Sequence, residues 1–597
     1  MHILKQPLSI AFLAQSALAV LYTDSSQLPK SEYDFVVVGA GTAGNVVASR
    51  LSENPAFSIL VIEAGGDNAG IEELEIPFNA PAALGNASLF WNYTTTPQIG
   101  LNGRTLAYQR GRVLGGSSSV NFLVFTRGSR DDFDRYANVT GDDGWSWNSM
   151  FPFMLKAENF VAPVDHHNTS GQFNASAHGY RGPLLTTLPG FPSAIDPRFI
   201  ATTETNSSLL PFNLDANAGD TIGLSWMQST AGHGVRSSSA TAYLQPVLHR
   251  PNLDVLINAQ VTRLLSTGDE NGIPVLRKVE LSQTSSGPRT IVRAKKEVIL
   301  SAGPVNTPQL LLLSGIGDRG NLSALSIPTI VHSPGVGRNL QDHPLVANQW
   351  FVNANNTLDD ISRNATLANE LLEQWRATKT GQYADGPANQ IAWLRLPPDP
   401  AVFGGFGDPS AGPTSSHIEL LLGNSFASFL EPPPPNGSYI SVSTNVVSPS
   451  SRGSITLSSA DPFDFPVIDA GFLTHPLDIK IMAQAIRTAM AILSTPSFQG
   501  FVLAPHGALA NATTTSELEA YIRNSVTTFW HVCCTAKMGT SEDATAVVDS
   551  ELNLKGVHGV RVVDFSVLPF LPAAHPQAAV YALAERAAHL IQSRWAA

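Results

Sequence analysis

Apolar runs separated by a helical pattern mark the beginning of the chain. Residues 33–38 form a run of strand-forming side chains, and a second such run follows at residues 58–62. Between them, apolar residues recur at the spacing of one helix face, at Ala43, Val46, Val47 and Leu51. This strand–helix–strand order is typical of an α/β unit with parallel strands. We therefore predict an α/β fold for this part of the chain.

The rest of the chain mixes strands and helices. Several β-rich runs lie between residues 252 and 303, and they indicate a meander that ends in a buried strand. Residues 478–492 and 578–591 carry helical patterns instead. A length of 597 residues favours two or more domains.

Glycines between the first strand and the first helix form the pattern G-x-G-x-x-G. Gly39 permits a tight turn, Gly41 lets backbone N–H groups approach a pyrophosphate, and Gly44 allows close helix–strand contact. Glu63 follows the second strand, at the place where an acid accepts hydrogen bonds from a ribose. With strand, helix and acid all in place, we predict a site for an ADP-containing cofactor.

Charge and the N-terminus narrow the class of protein further. The net charge of −12 argues against a nucleic-acid partner, which would need a basic face. We also predict no metal site. His2 and Lys5 precede an apolar stretch over residues 8–21, and Ala17-Leu18-Ala19 offers a cleavage site. The stretch is too short to span a membrane comfortably. We therefore expect residues 1–19 to be a signal peptide and the mature protein to be secreted and not membrane-bound.

Asn-x-Ser/Thr sequons agree with a secreted, glycosylated protein. Eleven are present, at Asn86, Asn92, Asn138, Asn168, Asn174, Asn206, Asn321, Asn355, Asn364, Asn436 and Asn511. Cys533 and Cys534 are the two cysteines of the chain, and they are adjacent. Because a ring closed between neighbouring residues strains the peptide between them, we expect free, buried thiols at this pair.

Four further segments are distinctive. Residues 111–124 contain a Gly-Gly-Ser-Ser-Ser run that lets backbone and hydroxyl donors approach a phosphate or a flavin ring closely. Residues 301–317 read as a strand end, a turn and a helix begun by proline. Residues 336–344 read Val-Gly-Arg-Asn-Leu-Gln-Asp-His-Pro. His531 and His575 lie in two apolar segments near the C-terminus.

These segments resemble those of the glucose–methanol–choline (GMC) oxidoreductase family. The resemblance extends from about residue 33 to residue 591, and both long family signatures, 111–134 and 303–317, are matched in order. Within the family, the stretches 91–96, 126–129, 167–171 and 188–192 are most similar to secreted fungal aryl-alcohol oxidases.

The resemblance implies a Rossmann-type FAD-binding domain and a second α+β substrate domain built on an antiparallel sheet, with their segments interleaved along the chain. Residues 33–345 would be the FAD-binding region, with excursions into the substrate domain near 150–229. Residues 346–530 would mainly form the substrate domain. Residues 531–597 would carry catalytic groups and close the FAD site.

The resemblance also implies FAD rather than NAD as the cofactor. The residues expected to bind it are Gly39, Gly41, Thr42, Ala43, Gly44, Glu63, Ser117, Asn121, Phe122, Leu123, Val124, Val261, Asp564, Pro576 and Gln577. Members with covalent FAD often carry a histidine just before the position of Asn121, and this chain has Val120 there. We therefore expect non-covalent FAD.

The implied reaction removes the proton of an alcohol O–H and transfers a hydride from the α-carbon to flavin N5. His531 matches the family's general base, a task suited to imidazole near neutral pH. His575 matches the residue that hydrogen-bonds the substrate oxygen. Tyr93 and Trp530 match positions where aryl-alcohol oxidases place aromatic rings over the substrate.

We thus expect a monomeric oxidase that converts primary aromatic or allylic alcohols to aldehydes, with O2 as acceptor and H2O2 as product. Two alternatives stay open. One is a pyranose dehydrogenase that passes electrons to quinones. The other is a hydroxynitrile lyase, a class that shares this fold and binds FAD without using it as an oxidant.

Overall fold

The computed structural model describes residues 21–386, 388–397 and 403–596. The predicted signal peptide, residues 1–19, lies outside the described residues. Two large sheets organise the fold, and each has its own apolar core.

The first sheet has eight strands and is mostly parallel. Its path runs through Leu21–Tyr22, Leu253–Leu256, Ile59–Ile62, Glu32–Val38, Thr290–Leu300, Lys278–Ser282 and Gln260–Leu265, and Val560–Val562 also pairs with Thr290–Leu300. The strands Lys278–Ser282 and Gln260–Leu265 are antiparallel to their neighbours. The central strand Ile59–Ile62 is buried along its whole length, which explains why it reads as a continuous apolar run.

The second sheet has seven strands and is antiparallel. Its path runs through Val502–Pro505, Pro344–Val352, Tyr439–Val446, Ile418–Gly423, Ala388–Leu394 and Gly223–Trp226, and Thr527–Thr528 also pairs with Pro344–Val352. Strands from distant parts of the chain meet here, since Gly223–Trp226 lies beside Ala388–Leu394. A mostly parallel Rossmann-type sheet and an antiparallel sheet with interleaved segments confirm the predicted fold class. The proposed division into 33–345, 346–530 and 531–597 stays a prediction.

Helices cover both sheets. Their bounds are Thr42–Leu51, Glu72–Glu75, Ser117–Val120, Arg130–Thr140, Trp147–Ala157, Asp196–Thr205, Gly303–Leu313, Arg319–Ala324, Asp359–Arg363, Ala365–Thr378, Pro476–Leu493, Thr515–Ser525 and Gln577–Trp595. Small two-stranded pairs are Phe90–Trp91 with Arg110–Gly111, Glu158–Phe160 with Leu184–Thr186, Ala231–Gly232 with Val235–Arg236, Gly268–Glu270 with Ile273–Val275, Ile316–Gly317 with Val331–His332, and Ser454–Thr456 with Val467–Asp469.

The last helix ties the C-terminal segment to the first sheet. Gln577–Trp595 packs against Thr42–Leu51. Their contact includes an ion pair of Arg50 with the fully buried Glu585, 2.7 Å long, and the Tyr243 hydroxyl donates to the same carboxylate. This packing carries His575, two residues before the helix, to the edge of the sheet that also holds the glycine turn. Within the described part of the chain, no helix is both long and apolar enough to cross a membrane.

Candidate active site

A long cleft of about 1870 Å³, counted with its open mouth, runs between the glycine turn and the C-terminal segment. Most of the predicted site residues line it. These are Gly39, Gly41, Thr42, Ala43, Glu63, Ser117, Asn121, Phe122, Leu123, Val124, Val261, Trp530, His531, Asp564, His575, Pro576 and Gln577. Gly44 and Tyr93 lie behind the wall of the cleft.

The glycine turn is shaped as its sequence pattern predicts. Gly39 has a φ of +100°, and a Cβ there would lie 2.5 Å from the Ser301 carbonyl oxygen. A Cβ on Gly44 would lie 1.9 Å from the Gly39 oxygen, so the helix can approach the strand only because this residue is glycine. Gly41 caps the helix without a side-chain hydrogen bond, which leaves the first N–H groups of the helix available to an anion.

A second glycine turn meets the first one. Gly115 N donates to the Ala40 carbonyl over 2.8 Å, and a Cβ on Gly116 would lie 2.8 Å from the Cα of Gly41. Two turns therefore touch without side chains between them, and backbone forms this part of the cleft wall. Such a wall lets a pyrophosphate come close to several N–H groups at once, which fits the predicted dinucleotide cofactor.

Glu63 lies at the end of its strand, where the cleft begins. Its carboxylate accepts the N–H groups of Ala40 and Gly65 over 2.8 and 2.7 Å. Burial raises the pKa of this carboxyl. It is held rigidly at the place predicted for the ribose contact.

The predicted flavin segment is braced from behind. Asn121 donates to the Gln577 side chain over 3.0 Å, and Gln577 donates to the Val124 carbonyl over 2.7 Å. Leu123 adopts a φ of +69°, which is unusual for a residue with a Cβ. Held in this way, the 121–124 loop presents backbone and side chains to the cleft.

Asp564 joins its own turn to the start of the helix Gly303–Leu313 at the far side of the cleft. Its carboxylate accepts from Gly303 N at 2.9 Å, the Thr307 hydroxyl at 2.6 Å and Ser566 N at 2.8 Å. Burial raises its pKa. The two glycine turns, Glu63, the 121–124 loop and this junction together offer FAD a site along one continuous cleft.

Two histidines face each other beside that site. The ring centroids of His531 and His575 are 4.9 Å apart, with the planes at 73°. Phe529 packs against both rings, with centroid distances of 4.5 and 4.9 Å. The structure thus brings these two predicted residues together beside the cleft.

His531 is held by the segment that immediately precedes the second-sheet strand Pro344–Val352. Its backbone N–H donates to Asp342 over 2.8 Å, and its Nδ1 lies 2.9 Å from Nδ1 of His343. Burial, and then the neighbouring His575, His343 and Arg110, lower the pKa of His531 well below the ordinary value. The ring is therefore neutral at neutral pH and able to accept a proton.

His575 has a different partner. Its Nε2 lies 3.0 Å from Oε1 of Glu419, a fully buried residue on the strand Ile418–Gly423. Since a carboxylate only accepts, the Nε2 proton points toward Glu419. Trp393 packs edge-on against the imidazole. Nδ1 of His575 is then the nitrogen left for a ligand in the cleft.

Aromatic and aliphatic side chains surround the two histidines. Trp530 makes edge contacts with Phe122 and Phe429, with centroids 6.2 and 5.0 Å apart, and Leu421 also lines the cleft. Tyr93 is a correction to the prediction. It is buried, stacks on Trp91, and its hydroxyl accepts from Asn306 over 2.7 Å, so Asn306 faces the cleft in its place.

The cysteine pair is a second correction. Cys533 and Cys534 form a disulfide between neighbouring residues, and both are fully buried. Strain argued against this bond, but the backbone of Cys534 takes a φ of +75°, and backbone bonds of Cys533 to Gln341 and of Cys534 to Phe565 hold the turn. The surrounding fold thus imposes the conformation that an isolated dipeptide would avoid.

Several groups at the site escaped the sequence analysis. Arg110 and Gln109 line the cleft just before the second glycine turn, and the guanidinium of Arg110 donates to the Trp530 carbonyl. His343 and Asp342 lie in the 336–344 motif, whose sequence pattern alone indicates no function. Glu419 carries no local signal, because its strand neighbours are simply apolar.

Two stretches of the chain, residues 33–345 and 449–584, match family models for GMC oxidoreductases. The chain belongs to the GMC oxidoreductase family. It is 40% identical over 97% of its length to dehydrogenase eriK of Hericium erinaceus, and 38% identical over 97% to pyranose dehydrogenase 3 of Leucoagaricus meleagris, covering 97% and 96% of those chains.

Solved structures give the same result for this GMC oxidoreductase. An FAD-dependent oxidoreductase from Chaetomium thermophilum superposes with a TM-score of 0.84 at 30% identity, covering 94% of this chain and 99% of that one. A fungal aryl-alcohol oxidase gives 0.81 at 28% identity, covering 95% and 100%. The protein is an FAD-dependent oxidoreductase that acts on alcohols. That its FAD is non-covalent, and that the residues above bind it, remain predictions.

Proposed function

We propose that this GMC oxidoreductase oxidises primary aromatic or allylic alcohols to aldehydes, with O2 reduced to H2O2. The observation that carries the proposal is the pair of imidazoles, His531 and His575, enclosed by Phe529, Trp530 and Leu421. An apolar enclosure favours an unsaturated hydrocarbon next to the reacting carbon. Ring-on-ring contact contributes ~0.5–1.5 kcal/mol beyond burial.

The two histidines would take different parts in the reaction. His531, kept neutral by burial, accepts the hydroxyl proton of the alcohol at Nε2. His575 donates to the substrate oxygen from Nδ1 in the form that carries protons on both ring nitrogens, while its Nε2–H donates to Glu419, whose carboxylate balances the charge of the ring. Bound FAD supplies the oxidant for the α-carbon. Two groups of the same type thus receive different roles from their environments.

The aromatic residues at the cleft would exclude water and orient the substrate. Trp530 has a φ of +57°, in the left-handed region. Its carbonyl accepts a hydrogen bond from Arg110, and its N–H donates to the Thr528 hydroxyl over 2.7 Å. Because these hydrogen bonds hold the left-handed backbone of Trp530 immediately before His531, they fix the positions of both the indole and the imidazole. A rigid pair of this kind favours one orientation of the alcohol.

A sugar substrate is the second candidate. It is favoured by pyranose dehydrogenases that are 37–38% identical over 96–97% of this chain, and by the polar side chains Gln109, Arg110 and Asn306 in the cleft. A quinone would then be the acceptor in place of O2. A lyase would use the same fold without consuming oxidant.

One steady-state screen separates these functions. Benzylic and allylic alcohols and a set of pyranoses are each assayed with O2 and with benzoquinone. We expect the highest kcat/KM for an aromatic or allylic alcohol, with H2O2 formed under O2. A higher kcat/KM for any pyranose would favour the second candidate, and faster turnover with quinone than with O2 would identify a dehydrogenase. If no alcohol bleaches the flavin in the absence of O2, the lyase is the remaining candidate function.

We also propose that the mature protein is secreted, glycosylated and monomeric. The apolar N-terminal stretch and the sequons support secretion and glycosylation. Mass spectrometry of protein recovered from culture medium should show an N-terminus near residue 20 and glycans on Asn residues.

A further inference from the structure

The segment 341–343 makes hydrogen bonds to the backbone on both sides of His531. Asp342 accepts from His531 N at 2.8 Å and from the Thr528 hydroxyl at 2.6 Å. Cys533 N donates to the Gln341 carbonyl over 2.9 Å, and Phe529 N donates to the His343 carbonyl over 3.1 Å. One short stretch, just before the second-sheet strand Pro344–Val352, therefore fixes the position of the His531 imidazole.

The same segment contacts the ring itself through His343. The two Nδ1 atoms are 2.9 Å apart, and the rings meet nearly at right angles. His343 is fully buried and does not line the cleft. In a hydrogen bond between two neutral imidazoles one Nδ1 must donate and the other must accept. The choice decides which nitrogen of His531 is left bare.

The role proposed for His531 decides that choice. Burial lowers the pKa of His343 to about 3, so the ring is neutral and carries one proton. Its Nε2 is buried and makes no hydrogen bond within the described residues, so its contact to Nδ1 of His531 is the hydrogen bond that the ring makes there. A base in the cleft needs a bare Nε2 on His531, which places the proton of the shared hydrogen bond on Nδ1 of His531 and the proton of His343 on Nε2.

With its proton on Nε2, His343 can only accept at Nδ1. His531 must then donate from Nδ1, which leaves Nε2 without a proton. In the described part of the chain, Nε2 of His531 has no protein partner, so it is the nitrogen available to a ligand in the cleft. The opposite arrangement would place the proton on Nε2 and make His531 unable to act as a base.

We propose that His343 is a positioning residue, which accepts the Nδ1–H of His531 and thereby keeps Nε2 of His531 bare as the proton acceptor. The assignment rests on the proposed role of His531 as the base. It gives the Gln-Asp-His part of the 336–344 motif two tasks, since Asp342 fixes the backbone and His343 fixes the tautomer.

The first test reads the tautomer directly. Ring nitrogens of ¹⁵N-histidine-labelled protein are observed by NMR, and the His531 signals are assigned by their loss in His531→Ala. We expect a protonated Nδ1 and a bare Nε2 on His531, with the reverse pattern on His343. A proton on Nε2 of His531 in the wild-type protein would overturn the proposal, whatever substrate the enzyme uses.

The second test is a pair of variants with a conservative rescue. His343→Phe removes the acceptor and keeps a ring, while His343→Asn retains an acceptor oxygen at the position of Nδ1. We expect His343→Phe to retain FAD and to slow flavin reduction at least ~10-fold, the worth of one buried hydrogen bond, with most of the rate restored in His343→Asn. A rate for His343→Phe equal to that of the wild type would overturn the proposal.

A double-mutant cycle separates positioning from packing. If His343 acts through His531, His343→Phe should cause no further loss of rate in a His531→Ala background. An equal loss in both backgrounds would assign His343 a merely structural role and overturn the proposal. If no alcohol reduces the wild-type flavin, the proposed function fails instead, and the NMR test still decides the tautomer. The NMR test on the wild-type protein also stands if His343→Phe does not fold.

Discussion

Nε2 of His575 lies 3.0 Å from Oε1 of Glu419, whereas Nδ1 of His531 lies 2.9 Å from another imidazole, that of His343. The two candidate catalytic rings thus have partners of opposite character. A carboxylate can balance a positive charge on its ring, and a neutral imidazole cannot. Glu419 can therefore stabilise a His575 ring that carries both protons and donates to the substrate oxygen, whereas His531 stays neutral and is free to accept the proton of the alcohol.

Glu419→Gln tests the second half of that assignment. Glutamine keeps the size of the side chain and removes the charge, so a charge-assisted hydrogen bond becomes a neutral one. We expect flavin reduction to slow by roughly 10- to 100-fold, the equivalent of about 1.5–3 kcal/mol for a hydrogen bond to a charged group. Rapid-reaction absorbance measures the rate, and retained FAD shows that the fold survives. An unchanged rate would show that the Glu419 charge has no part in the reaction.

The glycine turn offers a matched pair of substitutions. A Cβ on Gly44 would lie 1.9 Å from the Gly39 carbonyl oxygen, whereas a Cβ on Gly41 would meet no atom closer than 3.9 Å. We therefore expect Gly44→Ala to lower the thermal unfolding temperature and the yield of folded protein, because overpacking lowers the free energy of unfolding by ~1–3 kcal/mol or more.

Gly41→Ala should fold normally and bind FAD more weakly, because its new methyl group stands where the pyrophosphate is predicted. Circular dichroism of the apoprotein and FAD titration measure the two effects separately. Wild-type FAD affinity in a folded Gly41→Ala variant would contradict the predicted phosphate site.

The low pKa of His531 predicts an unusual pH profile. Because burial moves this pKa well below 6.5, the bare ring persists as the pH falls, whereas an ordinary imidazole would be ~97% protonated at pH 5. Flavin reduction should therefore change by less than about twofold between pH 8 and pH 5. A loss of rate that follows a single ionisation near pH 6.5 would contradict the assignment.

Asp342 provides the control for that profile. Burial raises its pKa to about 6, so it takes up a proton within the same range. If a modest change of rate near pH 6 comes from Asp342, it should disappear in Asp342→Asn, and a change that comes from His531 should remain. Steady-state and single-turnover rates in both proteins distinguish the two groups.

Thiol titration tests the disulfide of Cys533 and Cys534. Denatured but unreduced protein should contain no free thiol, and reduction before titration should release two per chain. Two thiols in unreduced protein would contradict the structure and restore the expectation drawn from the sequence.

Much of the first sheet could be predicted from the sequence because its signals are local. Apolar runs, the spacing of Val46 and Val47, and the glycines after the first strand all act within a few neighbouring residues. His531 and His575 could also be predicted, because the family resemblance identifies each of them from its local segment, without knowing how far apart the two lie in space.

The surroundings of those histidines could not be predicted in that way. Glu419 and His575 are 156 positions apart, and His343 and His531 are 188 apart, so only the pairing of distant strands brings them together. The placement of Tyr93 could not be predicted for a similar reason, since its hydroxyl accepts from Asn306 of the helix Gly303–Leu313, and it is Asn306 that lines the cleft. At Cys533 and Cys534, tertiary contacts overrode a correct local argument about strain.

The most direct test of the account is anaerobic single-turnover reduction of the flavin by a benzylic alcohol, in the wild-type protein and in His531→Ala. We predict rapid bleaching of the wild-type flavin absorbance, and a rate lower by ~10²–10⁴ in His531→Ala with FAD still bound, because that factor is what a general base contributes. Equal rates in the two proteins, or no bleaching of the wild-type flavin by any alcohol, would contradict the account.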